Sequence, residues 1–311
     1  MELSPRQRFK LRKFQSSLRQ LFGSRENNPS SSLRMCPECR GLIDRNATTC
    51  PLCGTRVRRP RARRSNEEIN RIAGVIPIPG TATSTLIAVN IALFGISWYL
   101  SQAAADATAG PALGFGNLDP QVLVRLGAKS GRDIILYGQW WRLVTAMFLH
   151  AGIFHIGMNL WCLFDLGPMV ESLFTSAKFI VMYLVTGIAG FLLSLWYRPG
   201  VASIGASGAI LGLVGVLIGV SFHHGGLGKA YRGQLWRWVI YIFIFGLFFA
   251  VDNAAHLGGL VTGFLLGYLV PEGEPETRES EVVWSTLAVI SVLIIAGSFA
   301  LMALQLNQPL R

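Results

Sequence analysis

The sequence contains little charge. Only 14% of its 311 residues are Asp, Glu, Lys or Arg, whereas soluble domains average about 25%. Hydrophobic residues make up 51% of the chain, and the mean hydropathy is +0.43. This composition excludes an ordinary soluble globular domain for most of the chain and indicates a protein of the lipid bilayer.

Seven long runs have almost no charged residues. A run of about 17–25 apolar residues is long enough to cross the hydrocarbon core as a helix. The sequence therefore predicts an all-α polytopic membrane protein with six core helices and a seventh C-terminal one. The predicted spans are residues 82–100, 143–164, 179–197, 204–222, 236–251, 254–270 and 283–304.

The first 80 residues have no such apolar run, so we expect no cleavable signal peptide. They contain 17 Lys and Arg against 6 Asp and Glu, while the remainder of the chain has 11 of each kind. Because positive charge accumulates on the cytoplasmic side of membrane proteins, the N-terminus is expected in the cytoplasm. The loop between the first two predicted spans then lies outside.

This orientation brings polar residues of three spans to one depth. The second, fourth and sixth predicted spans all run from outside to inside, so they are parallel. Their outer ends contain His150, His155 and Asn159, then Ser207, then His256. Ionisable side chains at this depth are costly in free energy and indicate a functional interior.

These residue types suit acyl-transfer chemistry. Ser207 stands at a predicted helix N-terminus, where free N–H groups favour a developing anion. A serine hydroxyl needs a base to remove its proton, and His256 is the candidate. Asp252 lies four residues earlier, but a two-residue Ser–His pair is the simpler hypothesis. His155 and Asn159 are spaced i, i+4, so both can donate hydrogen bonds toward an oxyanion beside the Ser207 N–H.

Small residues recur on the fourth and sixth spans, next to the candidate serine and histidine. Such stripes let helix backbones approach closely in lipid. Ordinary helix packing without chemistry would need the same pattern. The two stripes are Gly208, Gly212, Gly215 and Gly219, and Ala255, Gly259, Gly263 and Gly267.

Four motifs in this order resemble the rhomboid intramembrane serine proteases, over Thr81 to Pro271. Trp141-Arg142 is similar to the WR motif of the first external loop. His150 through His155 to Asn159 resembles the HxxxxHxxxN signature of the second helix. Gly205-Ala206-Ser207-Gly208 and Ala255-His256-Leu257-Gly258-Gly259 resemble the GxSG and AHxxG motifs.

The resemblance implies a function and roles for these residues. It implies cleavage of transmembrane protein substrates by a Ser207–His256 dyad, without a metal or cofactor for catalysis. It also implies that His155 and Asn159 line the oxyanion hole and that His150 supports them. Trp141 and Arg142 would stabilise the first-loop hairpin. No motif residue is missing.

Two other function classes share parts of this pattern. A non-catalytic rhomboid-like protein that binds and routes membrane clients would not need an intact dyad. A transporter could place His and Asn at mid-depth, but the sequence has no inverted repeat or pair of interrupted helices.

Two CPxC pairs precede the first span. Cys36, Cys39, Cys50 and Cys53 have the spacing of a four-thiolate zinc ribbon. In a reducing cytoplasm, disulfides or a redox role are the poorer interpretations. We therefore expect one structural Zn²⁺ ion, with no open coordination position for catalysis.

The same patterns predict partners and a location. The Arg-rich stretch before the first span is expected to contact anionic lipid, and no nucleic-acid partner is expected. The protein is expected in a bacterial inner or plasma membrane, with its active site opening to the outer face.

The sequence patterns also predict the domain boundaries. The predicted segments are a basic arm at 1–34, disordered or an amphipathic helix, the ribbon at 35–54, the Arg-rich linker at 55–80, the protease domain at 81–271, and an acidic linker with the seventh helix at 272–311.

Overall fold

The computed structural model describes residues 33–35, 42–44, 49–56, 80–108, 117–248 and 251–306. The chain divides into two compact units, Met1–Ile72 and Ala73–Arg311. The predicted basic arm, apart from Leu33 and Arg34, and most of the predicted Arg-rich linker lie outside the described residues.

The first unit contains a short antiparallel pair of strands. β1 (Leu33–Met35) pairs with β2 (Leu42–Asp44), with Arg34 opposite Ile43. A separate turn is closed by a bridge between Thr49 and Arg56. Within it, the Gly54 N–H donates to the Cys50 carbonyl at 2.9 Å, with Gly54 at a φ of 73°. Only glycine adopts this left-handed conformation without strain.

The described part of the second unit consists of helices joined by loops and contains no strand, which confirms the predicted all-α polytopic fold. Its ten α-helices, with one 3₁₀ turn at Ala146–Phe148 between α4 and α5, are α1 (Thr81–Thr108), α2 (Pro120–Arg125), α3 (Gly131–Tyr137), α4 (Arg142–Thr145), α5 (Ile153–Phe174), α6 (Ser176–Tyr197), α7 (Ser207–Val220), α8 (Gly225–Phe248), α9 (Asn253–Leu269) and α10 (Arg278–Leu306).

Helices lie at all seven predicted spans, but they differ in length. Among the described residues, four helical stretches are long and apolar enough to cross a membrane: Thr81–Ala104, Ile153–Phe174, Ser176–Tyr197 and Arg278–Leu306. α7 is apolar but has 14 residues, and α9 has 17. Crossing the full hydrocarbon core takes about 20 residues. The four long helices cover the first, second, third and seventh predicted spans, and that α7, α8 and α9 also cross the membrane stays a prediction.

The long helix at the second predicted span, residues 143–164, begins later than predicted. The segment after Trp141 forms α4 and the 3₁₀ turn, and Leu149 is extended, with φ −95° and ψ 146°. All residues from Arg142 to His150 are buried. The segment is apolar because it is packed inside the protein, so hydropathy alone could not distinguish it from a spanning helix. The long helix here is α5, which starts at Ile153.

A carboxylate from α5 caps the start of α1. Glu171 accepts hydrogen bonds from the N–H groups of Ala82 and Thr83, both at 3.0 Å. It also accepts from the hydroxyls of Thr83 at 2.7 Å and Ser176 at 2.6 Å. These donors include N–H groups that the first turn of a helix leaves unpaired. Glu171 therefore fixes α1 to the α5–α6 junction.

α7 lies at the centre of the unit and packs along α9. A Cβ atom added to Gly259 would lie 1.9 Å from the Gly208 carbonyl oxygen, and one added to Gly263 would lie 1.9 Å from that of Gly212. The paired positions advance together along both helices, so α7 and α9 are parallel, as predicted. The predicted glycine stripes are thus the contact faces of these two helices.

α10 packs beside the segment that leads into α5. The Phe299 ring contacts the Phe148 ring edge to face, with 5.5 Å between centroids. Met302 is buried in a cluster with Leu149 and Leu123. The seventh predicted helix is therefore a packing element against the first-loop region.

Candidate active site

The structure brings Ser207 and His256 together. The His256 Nε2 atom lies 2.8 Å from the Ser207 Oγ atom. Ser207 is the first residue of α7, and His256 lies in the first turn of α9. The two helices are parallel and in backbone contact, so their N-terminal ends meet at one depth. His256 is 3% exposed, and Ser207 is half-buried.

The turn before Ser207 depends on Gly205. Its φ is 124°, in the region that disfavours side chains. Its N–H donates to the Ala146 carbonyl at 2.8 Å, which ties the turn to the 3₁₀ segment. A Cβ here would lie 2.7 Å from the His155 Nε2 atom. Glycine therefore permits both the turn and the close approach of His155 to the serine.

His155 and Asn159 lie on α5 beside this turn. The His155 Nδ1 atom accepts a hydrogen bond from the Ala151 N–H at 3.2 Å. A neutral imidazole that accepts at Nδ1 has its hydrogen on Nε2, so a donor is present next to Gly205. The Asn159 amide donates to the His155 carbonyl at 2.8 Å. Because an amide has two N–H bonds, one remains for another acceptor.

His150 is fully buried behind these residues. Its ring lies edge to face against that of His155, with 5.0 Å between centroids. The His150 ring therefore packs directly against the His155 imidazole, and its supporting role stays a prediction.

Asp252 does not form a third member of the Ser–His pair. Its Oδ1 atom accepts from the Ala255 N–H at 3.1 Å, and its Oδ2 atom accepts from the Ser194 hydroxyl. Among the described residues, the His256 Nδ1 atom has no hydrogen-bond partner. The imidazole is instead bounded by the Phe243 ring, whose centroid is 6.2 Å away.

Arg142 joins the separate pieces of the first loop. Its guanidinium donates to the carbonyls of Val124 at 2.6 Å and Ala128 at 3.0 Å, and to the Gln139 side chain at 2.6 Å. Asp133 is paired with it at 3.4 Å. Arg142 is buried, and five donors in a planar fork suit this set of acceptors.

Trp141 lies on the other side of that guanidinium. The Arg142 Cζ atom is 4.9 Å from the Trp141 ring centroid. A Cβ at Gly127 would lie 2.6 Å from the Trp141 ring, which shows how tightly the loop wraps around it. Arg142 thus contacts both the α2 end and α3, with Trp141 against its guanidinium.

Sequence reasoning missed a buried polar group close to the dyad. Lys129, between α2 and α3, is 0% exposed and donates from Nζ to the Ser194 hydroxyl at 3.0 Å. Both residues stand in stretches with no recognised motif. The sequence shows only that Lys129 lies between two short helices and that Asp252 lies just before Ala255-His256.

The predicted zinc ligands are described only in part. Cys36 and Cys39 lie outside the described residues. Cys50 is buried and Cys53 is exposed, within the turn that the Thr49–Arg56 bridge closes. In the part of the chain that the structure describes, no group of three or more His, Cys, Asp or Glu could hold a metal ion.

Comparison with known proteins identifies the family. A rhomboid domain matches residues 137–273, which include all four motifs. A Bacillus subtilis (strain 168) protein named "Putative rhomboid protease YdcA" is 35% identical over 139 residues, which are 42% of this chain and 68% of the relative. The chain belongs to the rhomboid family.

Two further rhomboid relatives are longer than the match. "Rhomboid protease GluP" of Bacillus subtilis (strain 168) is 37% identical over 154 residues, covering 48% of this chain and 29% of that protein. "RHOMBOID-like protein 6, mitochondrial" of Arabidopsis thaliana is 36% identical over 154 residues, covering 48% of this chain and 49% of that protein. The chain thus spans half or less of the length of these relatives. Together with the four long apolar helices, family membership makes this rhomboid an integral membrane protein.

Proposed function

We propose that this rhomboid is an intramembrane serine endopeptidase in which Ser207 is the nucleophile and His256 is the general base. The observation that supports this most directly is the 2.8 Å contact between Ser207 Oγ and His256 Nε2, at adjoining helix N-termini. A hydroxyl within hydrogen-bond reach of an imidazole is the geometry of an activated nucleophile.

The first half of the reaction forms an acyl-enzyme. Ser207 Oγ attacks the carbonyl carbon of the scissile peptide bond while its proton passes to His256 Nε2. The carbonyl oxygen becomes an oxyanion in a tetrahedral intermediate. When this intermediate collapses, the carbon–nitrogen bond breaks and His256 returns the proton to the departing amine.

The oxyanion requires donors on the side of the serine away from His256. The Ser207 backbone N–H is free of intrahelical partners because it begins α7. The His155 Nε2–H and the second Asn159 amide N–H are the two further donors that we assign to this role. Each donor of this kind typically contributes about 10²–10³ in kcat.

The second half of the reaction releases the product. A water molecule donates its proton to His256 Nε2 and attacks the Ser207 ester. The second tetrahedral intermediate collapses to a carboxylic acid, and His256 gives the proton back to Ser207 Oγ. The dyad is then restored without a net change in protons.

The substrates that we propose are transmembrane proteins, cut in or near their spanning segments. Two relatives are named as rhomboid proteases, and the dyad lies within a unit built of long apolar helices. The charge asymmetry of the sequence supports a cytoplasmic N-terminus and an active site that opens to the outer face. We propose a bacterial inner or plasma membrane as the location, with anionic lipid at the Arg-rich segment.

A cleavage assay with a membrane-anchored test substrate examines this function. Purified Ser207→Ala should lose cleavage while it keeps the thermal stability of the wild type. A control variant, Ser298→Ala, removes a buried hydroxyl that, within the described residues, bonds only its own helix at Ile294, and it should cleave as the wild type does. Equal cleavage by Ser207→Ala would contradict the proposal. Substrate binding without cleavage by the wild type would favour the alternative, a non-catalytic rhomboid-like protein that binds and routes membrane clients.

We also propose that the first unit is a zinc ribbon with Cys36, Cys39, Cys50 and Cys53 as ligands. The short β1–β2 pair and the turn that contains Cys50 and Cys53 support this proposal, because structural zinc ligands lie in such short hairpins and turns. Four thiolates would hold Zn²⁺ in a closed site that stabilises this unit and has no place for substrate.

A further inference from the structure

Asp252 controls how α9 begins. As its N-cap residue, it accepts the Ala255 N–H at 3.1 Å through its side chain, and its backbone carbonyl accepts the His256 N–H at 3.1 Å. These two bonds set the direction of the first turn, from which the His256 side chain extends toward Ser207. A shift of Asp252 would therefore move the imidazole.

Ser194 holds Asp252 from the neighbouring helix. Ser194 lies in the last turn of α6 and is fully buried, and its hydroxyl donates to the Asp252 Oδ2 atom. The same hydroxyl oxygen accepts from the Lys129 Nζ atom at 3.0 Å. A chain of hydrogen bonds thus runs from the first loop through α6 to the cap of α9.

Lys129 also reaches the serine side of the dyad. Its backbone N–H donates to the Ser203 carbonyl at 2.9 Å, and its carbonyl accepts the Ser203 N–H at 3.0 Å. Ser203 is four residues before Ser207, on the strand-like segment that enters the Gly205 turn. Lys129 additionally donates from Nζ to the Arg198 carbonyl at 3.1 Å. One buried residue therefore contacts the segment before Ser207 directly and the cap of α9 through the Ser194 hydroxyl.

The charges of this network are complementary. Burial lowers the pKa of Lys129, and the nearby Asp252 charge opposes that effect. Burial acts to raise the pKa of Asp252. Hydrogen bonds from Ser194, Ser203 and the Ala255 N–H, with the Lys129 charge, nevertheless hold it below its ordinary value. An ammonium and a carboxylate that share one hydroxyl in the interior resist separation.

We propose that Lys129, Ser194 and Asp252 are positioning residues that set the Ser207–His256 geometry from outside the dyad. None of the three contacts the reacting atoms. Asp252 acts through the backbone of α9, and Lys129 links that backbone to the segment before Ser207. The inference rests on the proposed function, because geometry matters here only if the pair is catalytic.

The test uses Ser194→Ala in the full-length protein, because this change removes the link between Lys129 and Asp252 and leaves the cap itself intact. A reporter substrate provides kcat and KM, and a fluorophosphonate probe provides the rate of labelling at Ser207. Misplacement of reacting groups by as little as 1 Å can cost about 100-fold in rate. We expect kcat and the labelling rate to fall together by roughly 10-fold or more, with KM unchanged.

Two further variants distinguish the loss of the Lys129–Asp252 link from the general effect of removing a buried hydroxyl. Ser97→Ala removes a hydroxyl of similar burial, 1% exposed and bonded, in the part of the chain that the structure describes, only to its own helix at Leu93. It should leave both rates at wild-type values. Asp252→Asn keeps a side-chain acceptor for the cap but loses the charge, and should lower both rates as Ser194→Ala does.

The outcomes separate the two proposals. An active wild type with unchanged kcat and labelling rate in Ser194→Ala and Asp252→Asn would overturn the positioning role alone. A lower melting temperature with an unchanged labelling rate for the folded protein would overturn it as well. A wild type that neither cleaves nor takes the probe would overturn the proposed function and, with it, this inference.

Discussion

At the residue scale, position 205 requires glycine for two independent reasons. Its φ of 124° excludes most side chains, and its Cα faces the His155 imidazole so closely that a Cβ would lie 2.7 Å from Nε2. Gly273 has only the first requirement, because its φ is 77° and no atom lies within 4 Å of an added Cβ. An alanine substitution at Gly273 therefore tests backbone strain alone, whereas one at Gly205 adds displacement of His155.

Gly205→Ala should abolish measurable cleavage, while Gly273→Ala should not. Moving His155 removes a proposed oxyanion donor, which costs about 10²–10³ in kcat. Strain at Gly273 costs only about 1–2 kcal/mol of unfolding free energy. Cleavage rates and melting temperatures of both variants check this prediction. Activity in Gly205→Ala equal to that in Gly273→Ala would exclude His155 from the reaction.

Single residues differ in how far the sequence could predict them. The pairing of Ser207 with His256 could be predicted, since both begin helices that run the same way and glycines line the contact. Lys129 could not, because neither its neighbours nor its spacing distinguish a buried lysine from a solvated loop residue. Its partners Ser194 and Asp252 are 65 and 123 positions away, so only the fold brings them together.

At the scale of helices, the dyad depends on the parallel packing of α7 and α9. An added Cβ at Gly263 would lie 1.9 Å from the Gly212 carbonyl oxygen, which is backbone and cannot turn away. Gly297 on α10 has nothing within 4 Å of an added Cβ. The same substitution at these two positions thus has different consequences.

Gly263→Ala should lower the free energy of unfolding by about 1–3 kcal/mol, since overpacking forces the helices apart. The same separation should lengthen the Ser207–His256 contact and reduce cleavage. Gly297→Ala should leave stability unchanged or raise it by up to about 1 kcal/mol, because alanine favours helix. Unfolding measurements in detergent compare the pair, and equal stability of the two variants would contradict close packing at Gly263.

Hydropathy predicts that helices are present in these regions, but it does not predict the residues at which they begin and end. The apolar run that starts at 143 predicts a span, but residues up to His150 form short buried turns. α5 then extends to Phe174 through Asp165 and Glu171, where charge suggested that a span had ended. Glu171 is tolerated because two backbone N–H groups and two hydroxyls satisfy it, and such partners are not visible in a hydropathy profile.

The whole molecule combines a membrane unit with a small cysteine-containing unit. All four proposed ligands lie within Met1–Ile72, so metal binding should be independent of the dyad. Because structural zinc contributes directly to folding, its loss should affect this unit first.

Metal analysis of the purified protein should find about one zinc per chain. Cys36→Ser and Cys53→Ser should each lose most of it, whereas Cys162→Ser, on α5, should retain it. Proteolytic sensitivity of the first unit should increase when a chelator removes the metal, with cleavage activity unchanged. Carefully prepared protein without zinc would contradict the ribbon.

Fluorophosphonate labelling tests the central claim most directly, because the probe requires a serine activated by a base and needs no knowledge of the substrate. The label, mapped by mass spectrometry, should be found on Ser207 of the wild type and should be absent from folded His256→Ala. Labelling of another residue, or equal labelling of Ser207 in the two proteins, would contradict a catalytic Ser207–His256 dyad.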